Sequence, residues 1–316
     1  MASNKLTSLL TGKLDDVTRT GAARRQERVI TGRQTPREGF GPRYLLKGYG
    51  ERAFLRMNSN AYLGLGTHPQ VIEAEEEAMR RFGAGPGAVR FISGTFDPHI
   101  RLEKRLASFH GREAAMIFSA AYAAVMGVLP QLISNETLVV SDALNHNSII
   151  NAIRLARPAA KAIYEHLDAK QLKTILDRHL GKVKRVIVVT DGVFSMRGDH
   201  APLDQIATIS SHYQEHFDEG VITVVDDSHG VGAIGARGRG TEDITGDRAD
   251  ILIATLGKAI GVNGGYVVAD KTTIDYLRET SPFYLYSNPI TPSEAAAALK
   301  ALEILDSPEG TGLLRK

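Results

Sequence analysis

The sequence predicts a three-layer α/β/α fold with a mostly parallel sheet, and two features of the chain lead to this prediction. Short runs of apolar residues recur without strict alternation, which is typical of strands that are buried on both faces. Amphipathic stretches with helical periodicity lie between these runs. Chains in which strands and helices alternate in this way usually form a parallel sheet with helices packed on both faces.

The predicted elements follow one another from residue 114 onward. An alanine-rich helix opens at 119–122, directly after the first strand, and further helices are predicted at 168–180, at 202–214 and after Pro292. The predicted strands are Ala114–Phe118, 138–140, 186–189, 221–225, 251–253 and 266–268.

Three regions are predicted along the chain. Residues 1–50 carry ten Lys and Arg against four Asp and Glu, and we expect them to form an N-terminal arm or linker that wraps a partner subunit. Residues 51–290 form the large α/β domain. Residues 291–316 begin with a helix and would be the truncated start of a smaller C-terminal domain.

Composition narrows the classes of function. The 316 residues have a formal net charge of only +2, so no global field favours nucleic acid or a membrane surface. Cysteine is absent, which excludes disulfides, thiolate nucleophiles and cysteine-based metal sites and fits a cytoplasmic protein. No apolar run approaches the ~18 residues of a transmembrane helix.

Two glycine motifs resemble nucleotide-binding loops without meeting their structural requirements. Gly230, Gly232 and Gly235 match G-x-G-x-x-G, but glycines and arginines follow where a dinucleotide site needs the first turn of a helix. Ala259 follows Lys258 where a P-loop has Ser or Thr. A nicotinamide-dependent oxidoreductase therefore remains an alternative supported by one glycine motif alone.

Polar residues follow five of the predicted strands, at the point where each strand ends. In an open parallel sheet, ligands bind outside the carboxyl ends of the strands, so these groups are expected to meet in one crevice. The groups are the turn at 119–122, Asp142 with His146, Asp191 with Ser195, Asp226 with His229, and Thr255 with Lys258.

This set of groups suits pyridoxal 5'-phosphate (PLP). Its phosphate needs a helix N-terminus, its aldehyde needs a lysine for a Schiff base, and its pyridine nitrogen needs a carboxylate. Lys258 lies among small and apolar residues, unlike an ordinary loop lysine. Metal binding by the stretch from Asp226 to His229 is the alternative, but no third cluster of ligands accompanies it, and no metal site is predicted.

From about Met57 onward the chain resembles the α-oxoamine synthases, a family of PLP-dependent acyltransferases of fold type I. The resemblance implies that fold and makes residues 51–290 the PLP-binding domain. The matching stretches are 58–65, 83–95 with Arg90 to Thr95, His99 to Glu103, 141–148, 190–196, 225–230, 255–259 and 287–289.

The resemblance also implies a role for each matching residue. Lys258 would hold the cofactor and move the α-proton, Asp226 would pair with the pyridine nitrogen, and His229 would contact the ring hydroxyl. His146 would stack on the ring, with Ser195 beside it.

Other matching residues would bind the phosphate and the substrate. Thr255 and the backbone amides of Ala121 and Tyr122 would bind the phosphate. Ser287 or Asn288 would reach the phosphate of a partner subunit, which implies a homodimer with the active site at its interface. Asn60 would contact the carboxylate of the amino acid. The arginine that binds this carboxylate in relatives belongs to the C-terminal domain and has no counterpart here.

The family condenses an amino acid with an acyl-CoA. The stretches around His146 and Ser195 look most like glycine C-acetyltransferase, which implies glycine and acetyl-CoA as substrates. Condensation of alanine with a longer acyl thioester, as in 8-amino-7-oxononanoate synthases, is the alternative. A PLP-dependent aminotransferase or lyase, and a PLP-binding subunit without activity, are the alternatives of other classes.

Overall fold

The computed structural model describes residues 4–23, 27–37 and 39–315. Its chain divides into two compact units, residues 1–59 and 60–316.

The first unit contains a helix and a small antiparallel sheet. Its elements are α1 (Asn4–Arg19), β1 (Ile30–Gln34), β2 (Arg43–Leu46) and β3 (Ala53–Phe54). Strand β2 pairs with both β1 and β3, and Arg52 lies over the ring of Phe54. The sequence predicted no sheet in this region, and its assignment as an arm that wraps a partner stays a prediction.

The second unit is an α/β domain in which strands and helices alternate. Its strands are β4 (Ala114–Phe118), β5 (Thr137–Asp142), β6 (Ala160–Tyr164), β7 (Arg185–Asp191), β8 (Val221–Asp226), β9 (Ile251–Thr255) and β10 (Gly265–Ala269). Its α-helices are α2 (Pro69–Phe82), α3 (Asp97–His110), α4 (Ala121–Leu132), α5 (Asn147–Ala156), α6 (Ala169–His179), α7 (Leu203–Tyr213), α8 (Thr241–Thr245), α9 (Lys271–Thr280), α10 (Pro282–Leu285), α11 (Pro292–Leu305) and α12 (Pro308–Leu314).

The seven strands form one sheet in the order β4-β10-β9-β8-β7-β5-β6. Strands β9, β8, β7, β5 and β6 pair in parallel, which confirms the mostly parallel sheet. Strand β10 is antiparallel to β4 and to β9. Burial on both faces does not reveal the direction of a strand, so the apolar run at 266–268 gave no sign of this reversal.

Helices cover both faces of the sheet, as the three-layer prediction requires. On one face, α4, α5, α9 and α10 enclose an apolar core. On the other face, a core under α2, α3 and α11 lies beside a second core under α6 and α7. Helix α11 packs against α2 and α3, and the predicted domain boundary at residue 290 stays a prediction. No helix in the described part of the chain is long and apolar enough to cross a membrane.

Candidate active site

A cavity of about 270 Å³ lies at the carboxyl ends of the parallel strands. Eight of the residues predicted for catalysis or cofactor binding line it. Its lining residues are Ala121, Tyr122, His146, Ser148, Asp191, Val193, Ser195, Asp226, Ser228, His229, Thr255 and Lys258. A larger groove of about 630 Å³ runs beside β6, and Asp142, which was expected in the crevice with His146, lines this groove and not the cavity. None of the residues predicted for catalysis or cofactor binding lines the groove, so volume alone does not identify the site.

Lys258 lies just beyond β9, in a tight loop that connects this strand to β10. The loop is held by backbone hydrogen bonds from Leu256 N–H to the carbonyl of Gly264 (2.9 Å) and from Val262 N–H to the carbonyl of Leu256 (2.9 Å). Burial lowers the pKa of Lys258, and the carboxylates of Asp226 and Asp191 partly offset this effect. The amine is therefore closer to its neutral, nucleophilic form than a lysine in water.

Two carboxyl groups face this lysine from the ends of neighbouring strands. Asp191 on β7 and Asp226 on β8 are direct partners in the parallel register. Burial raises the pKa of both groups, and the proximity of Asp226 raises that of Asp191 further. Hydrogen bonds from Ser228 N–H (3.2 Å) and Ser228 Oγ (2.5 Å) to Asp226 Oδ1 favour its ionised form. A cation next to Asp226, such as a protonated ring nitrogen, would balance the charge of its ionised form.

His146 is the N-cap residue of α5, and Ser148 fixes its ring. Its Nδ1 atom accepts the backbone N–H of Ser148 (3.2 Å) and lies 2.8 Å from Ser148 Oγ. Because Nδ1 is an acceptor, the neutral ring carries its proton on Nε2. The ring lies beside Tyr122, with centroids 6.4 Å apart and an interplanar angle of 78°. These contacts hold the imidazole at the cavity wall, where it could contact a planar ligand.

His229 is held by a residue that the sequence did not single out, Tyr62. The hydroxyl of Tyr62 lies 2.7 Å from His229 Nδ1 and 3.4 Å from Asn60 Oδ1. Burial, followed by the charges of Lys258 and His146, lowers the pKa of His229 to about 4. The ring is therefore neutral near pH 7. Asn60, predicted to bind the substrate carboxylate, is exposed and reaches the cavity residues through this tyrosine.

The cavity also has the features of an anion site where α4 begins. Helix α4 begins at Ala121 without a capping side chain, which leaves backbone N–H groups of its first turn available to a phosphate. The chain approaches this turn closely, because a Cβ on Gly265 would lie 2.2 Å from Ala121 N. Thr255 Oγ1 accepts the N–H of Gly257 (3.0 Å) and lies at the same cavity.

Two predicted phosphate ligands lie outside the cavity lining. Ser287 is half-buried and Asn288 is exposed, and both follow α10. Their predicted contact is with the cofactor of a partner subunit, so their role stays a prediction. In the described ranges 4–23, 27–37 and 39–315, no group of three or more His, Asp or Glu side chains could hold a metal ion.

Known proteins are similar to this chain in sequence and in fold. The family model "Aminotransferase class I and II" matches residues 52–312. An 8-amino-7-oxononanoate synthase of Geobacter metallireducens is 41% identical over 266 residues, covering 84% of this chain and 66% of the relative. The mitochondrial 2-amino-3-ketobutyrate coenzyme A ligase of Homo sapiens is 40% identical over 304 residues, covering 95% of this chain and 69% of the relative.

A solved structure of serine palmitoyltransferase from Sphingomonas wittichii superimposes with a TM-score of 0.83 at 27% identity. The superposition covers 97% of this chain and 73% of that protein. The chain thus spans about two thirds of the length of the curated relatives described above, 66% and 69%.

The sheet, its helical layers and the lysine cavity at the strand ends define the fold type I of PLP-dependent transferases, and the cavity residues fit PLP. The chain belongs to the aminotransferase class I and II family and, within it, to the α-oxoamine synthases.

Proposed function

We propose that this chain contains the PLP-binding domain of an enzyme that transfers the acyl group of an acyl-CoA to the α-carbon of a small amino acid. The observation that carries the proposal is the convergence of Lys258, Asp226 and His229 on one cavity beside the uncapped N-terminus of α4. Relatives named for two such condensations, at 41% and 40% identity, support it.

Each residue would contribute a distinct part of the chemistry. Lys258, with its lowered pKa, would hold the cofactor and accept the proton of the amino acid's α-carbon. Asp226 would hold the proton of the ring nitrogen, and His229 and Ser195 would orient the ring edge. When bound, PLP withdraws electrons from the α-carbon of an attached amino acid. The reaction would break this C–H bond and the C–S bond of the thioester, form a C–C bond and release the CoA thiol.

The substrates are proposed as glycine and acetyl-CoA, because the stretches around His146 and Ser195 resemble glycine C-acetyltransferases. Alanine with a longer acyl thioester is the second candidate, and the identity to 8-amino-7-oxononanoate synthases favours it to a similar degree. A homodimer in the cytoplasm is part of the proposal. The absence of cysteine fits a reducing compartment, and the predicted role of Ser287 and Asn288 requires a second subunit.

Thiol release from acyl-CoA tests the proposal. We expect free CoA to appear only when PLP, an amino acid and an acyl-CoA are all present. The pair of substrates that gives the faster release distinguishes glycine with acetyl-CoA from alanine with a longer acyl group. Lys258→Ala should abolish release, whereas Lys182→Ala, a change at an exposed lysine, should leave it intact. Oxo-acid formation without any need for a thioester would instead indicate an aminotransferase and overturn the proposal.

A further inference from the structure

The glycine-rich segment that resembles a dinucleotide-binding loop encloses a buried carboxylate. Asp227 directly follows β8 and is fully buried. The segment from Gly230 to Gly240 leads from the site residue His229 to helix α8 and returns to this carboxylate. The glycines therefore surround Asp227. None of the site contacts described above involves this residue.

Asp227 joins three parts of the chain through its own polar groups. Its backbone N–H donates to the carbonyl of Ile253 in β9 (2.8 Å), and its carbonyl accepts the N–H groups of Gly230 (3.1 Å) and Val231 (3.0 Å). Its carboxylate accepts two hydrogen bonds from Thr241, from the backbone N–H (2.6 Å) and from Oγ1 (2.9 Å). The start of the turn that carries His229 is thereby bonded to β9, and the end of the turn is bonded back to Asp227.

Three glycines make room for this carboxylate. A Cβ would lie 2.2 Å from Asp227 Oδ1 at Gly192, 2.1 Å from it at Gly230, and 2.0 Å from Oδ2 at Gly240. Gly192 follows Asp191 at the end of β7, and Gly240 has a φ of 80°, which disfavours any other residue. The carboxylate therefore packs against backbone next to both carboxyl groups of the cavity. Gly192 directly follows Asp191, and Gly230 ends the turn that begins after Asp226.

The arrangement is unfavourable for the ionised carboxylate. Burial raises the pKa of Asp227 to about 7, while the hydrogen bonds of Thr241 lower it and the charges of Glu242 and Asp226 raise it. A buried polar network of this kind is often replaceable by apolar side chains without loss of stability. We therefore expect the network around Asp227 to contribute a fixed local geometry more than stability.

We propose that Asp227 is a positioning residue for the cofactor site, and that Gly192, Gly230, Gly240 and Thr241 form the socket that holds it. The socket fixes the start of the turn, where Ser228 donates to Asp226, and it fixes the direction of His229. The inference rests on the proposed function, because the two groups that it positions are those assigned to the PLP ring.

The test compares the bound cofactor in four variants of the full chain. Asp227→Asn replaces one of the two acceptor oxygens by an NH2 group, which has to face either the Thr241 N–H or the Thr241 hydroxyl. Thr241→Val removes one hydrogen bond, and Thr241→Ser keeps it. Asp250→Asn is the matched control, because Asp250 also accepts hydrogen bonds from the backbone N–H and the hydroxyl of one threonine, Thr223 (2.7 Å each). Asp250 lies at the end of β9 away from the cavity.

The readouts are the PLP dissociation constant and the circular dichroism of the cofactor's visible band, alongside the melting temperature. We expect Asp227→Asn to weaken PLP binding by roughly tenfold to a hundredfold and to reduce the visible dichroism. Thr241→Val should also weaken PLP binding and reduce the visible dichroism, by a smaller factor. Thr241→Ser should stay close to wild type. Asp250→Asn should alter only the melting temperature.

Wild-type dichroism and affinity in folded Asp227→Asn and Thr241→Val would overturn the inference while leaving the proposed function intact. If Asp227→Asn does not fold, Thr241→Val against Thr241→Ser decides the question. A wild-type chain that binds no PLP would overturn the proposed function and this inference together.

Discussion

At the residue scale, the cavity concentrates ionisable groups whose burial opposes their charge. Burial lowers the pKa of Lys258 and of His229 and raises that of Asp191 and Asp226. Such opposed shifts in one cavity are typical of sites that move protons. A lysine whose pKa is lowered by burial, beside carboxyl groups, is suited to accept a proton and return it, which is the role proposed for Lys258.

A second buried histidine gives a pH prediction that is independent of the site. His110, at the end of α3, is fully buried with Nε2 2.8 Å from the hydroxyl of Tyr266. Burial, together with the charges of Arg112, Arg239 and Arg248, lowers the pKa of His110 to about 3. The unfolded chain, with a histidine pKa near 6.5, binds this proton first as pH falls. Its contribution to stability is therefore complete above about pH 6.5 and is lost as pH falls towards 3.

We expect the wild type to lose about 2 kcal/mol more unfolding free energy than His110→Gln between about pH 7.5 and about pH 5. Urea titrations at the two pH values measure this difference, and groups other than His110 cancel because both chains share them. Equal losses in the two proteins would contradict a depressed pKa at His110.

At the element scale, predictability depended on how each strand is buried. Strand β4 (Ala114–Phe118) was predicted with its observed bounds, because its apolar run is continuous. Strand β6 (Ala160–Tyr164) was missed, since it lies at the edge of the sheet and exposes Lys161 and Ile163. Its alternation over only five residues, within a stretch rich in alanine, gives no clear strand signal.

Helix α11 offers a test of an element's contribution to stability. Thr291 caps it by accepting the N–H of Glu294 (3.0 Å), and Glu294 returns a hydrogen bond by accepting the N–H of Thr291 (2.7 Å). This capping box starts the helix that packs on α2 and α3, so Thr291→Ala should lower the unfolding free energy by about 1 kcal/mol.

Thr208→Ala is the matched control, because Thr208 is an exposed threonine within α7 whose hydroxyl bonds back to Asp204. Its effect should stay within about 0.5 kcal/mol of zero. Urea unfolding of both variants decides the matter, and a Thr291→Ala chain as stable as the control would contradict the capping role.

At the scale of the whole molecule, the sequence predicted which residues come together at one edge of the sheet. The residues after β5, β7, β8 and β9 meet in one cavity because the carboxyl ends of parallel strands share one edge of the sheet. Tyr62 could not be predicted in the same way. It lies 167 residues from His229 in the chain, and no local pattern indicates a contact of that kind.

The most direct measurement is to map the lysine that carries the cofactor. The purified chain is mixed with PLP, reduced with borohydride and digested, and the peptide that gains the mass of the reduced cofactor is identified by mass spectrometry. We predict a single labelled peptide containing Lys258, no label in Lys258→Ala, and an unchanged label in Lys182→Ala. A label on another lysine, or none in the wild type, would contradict a PLP site centred on Lys258.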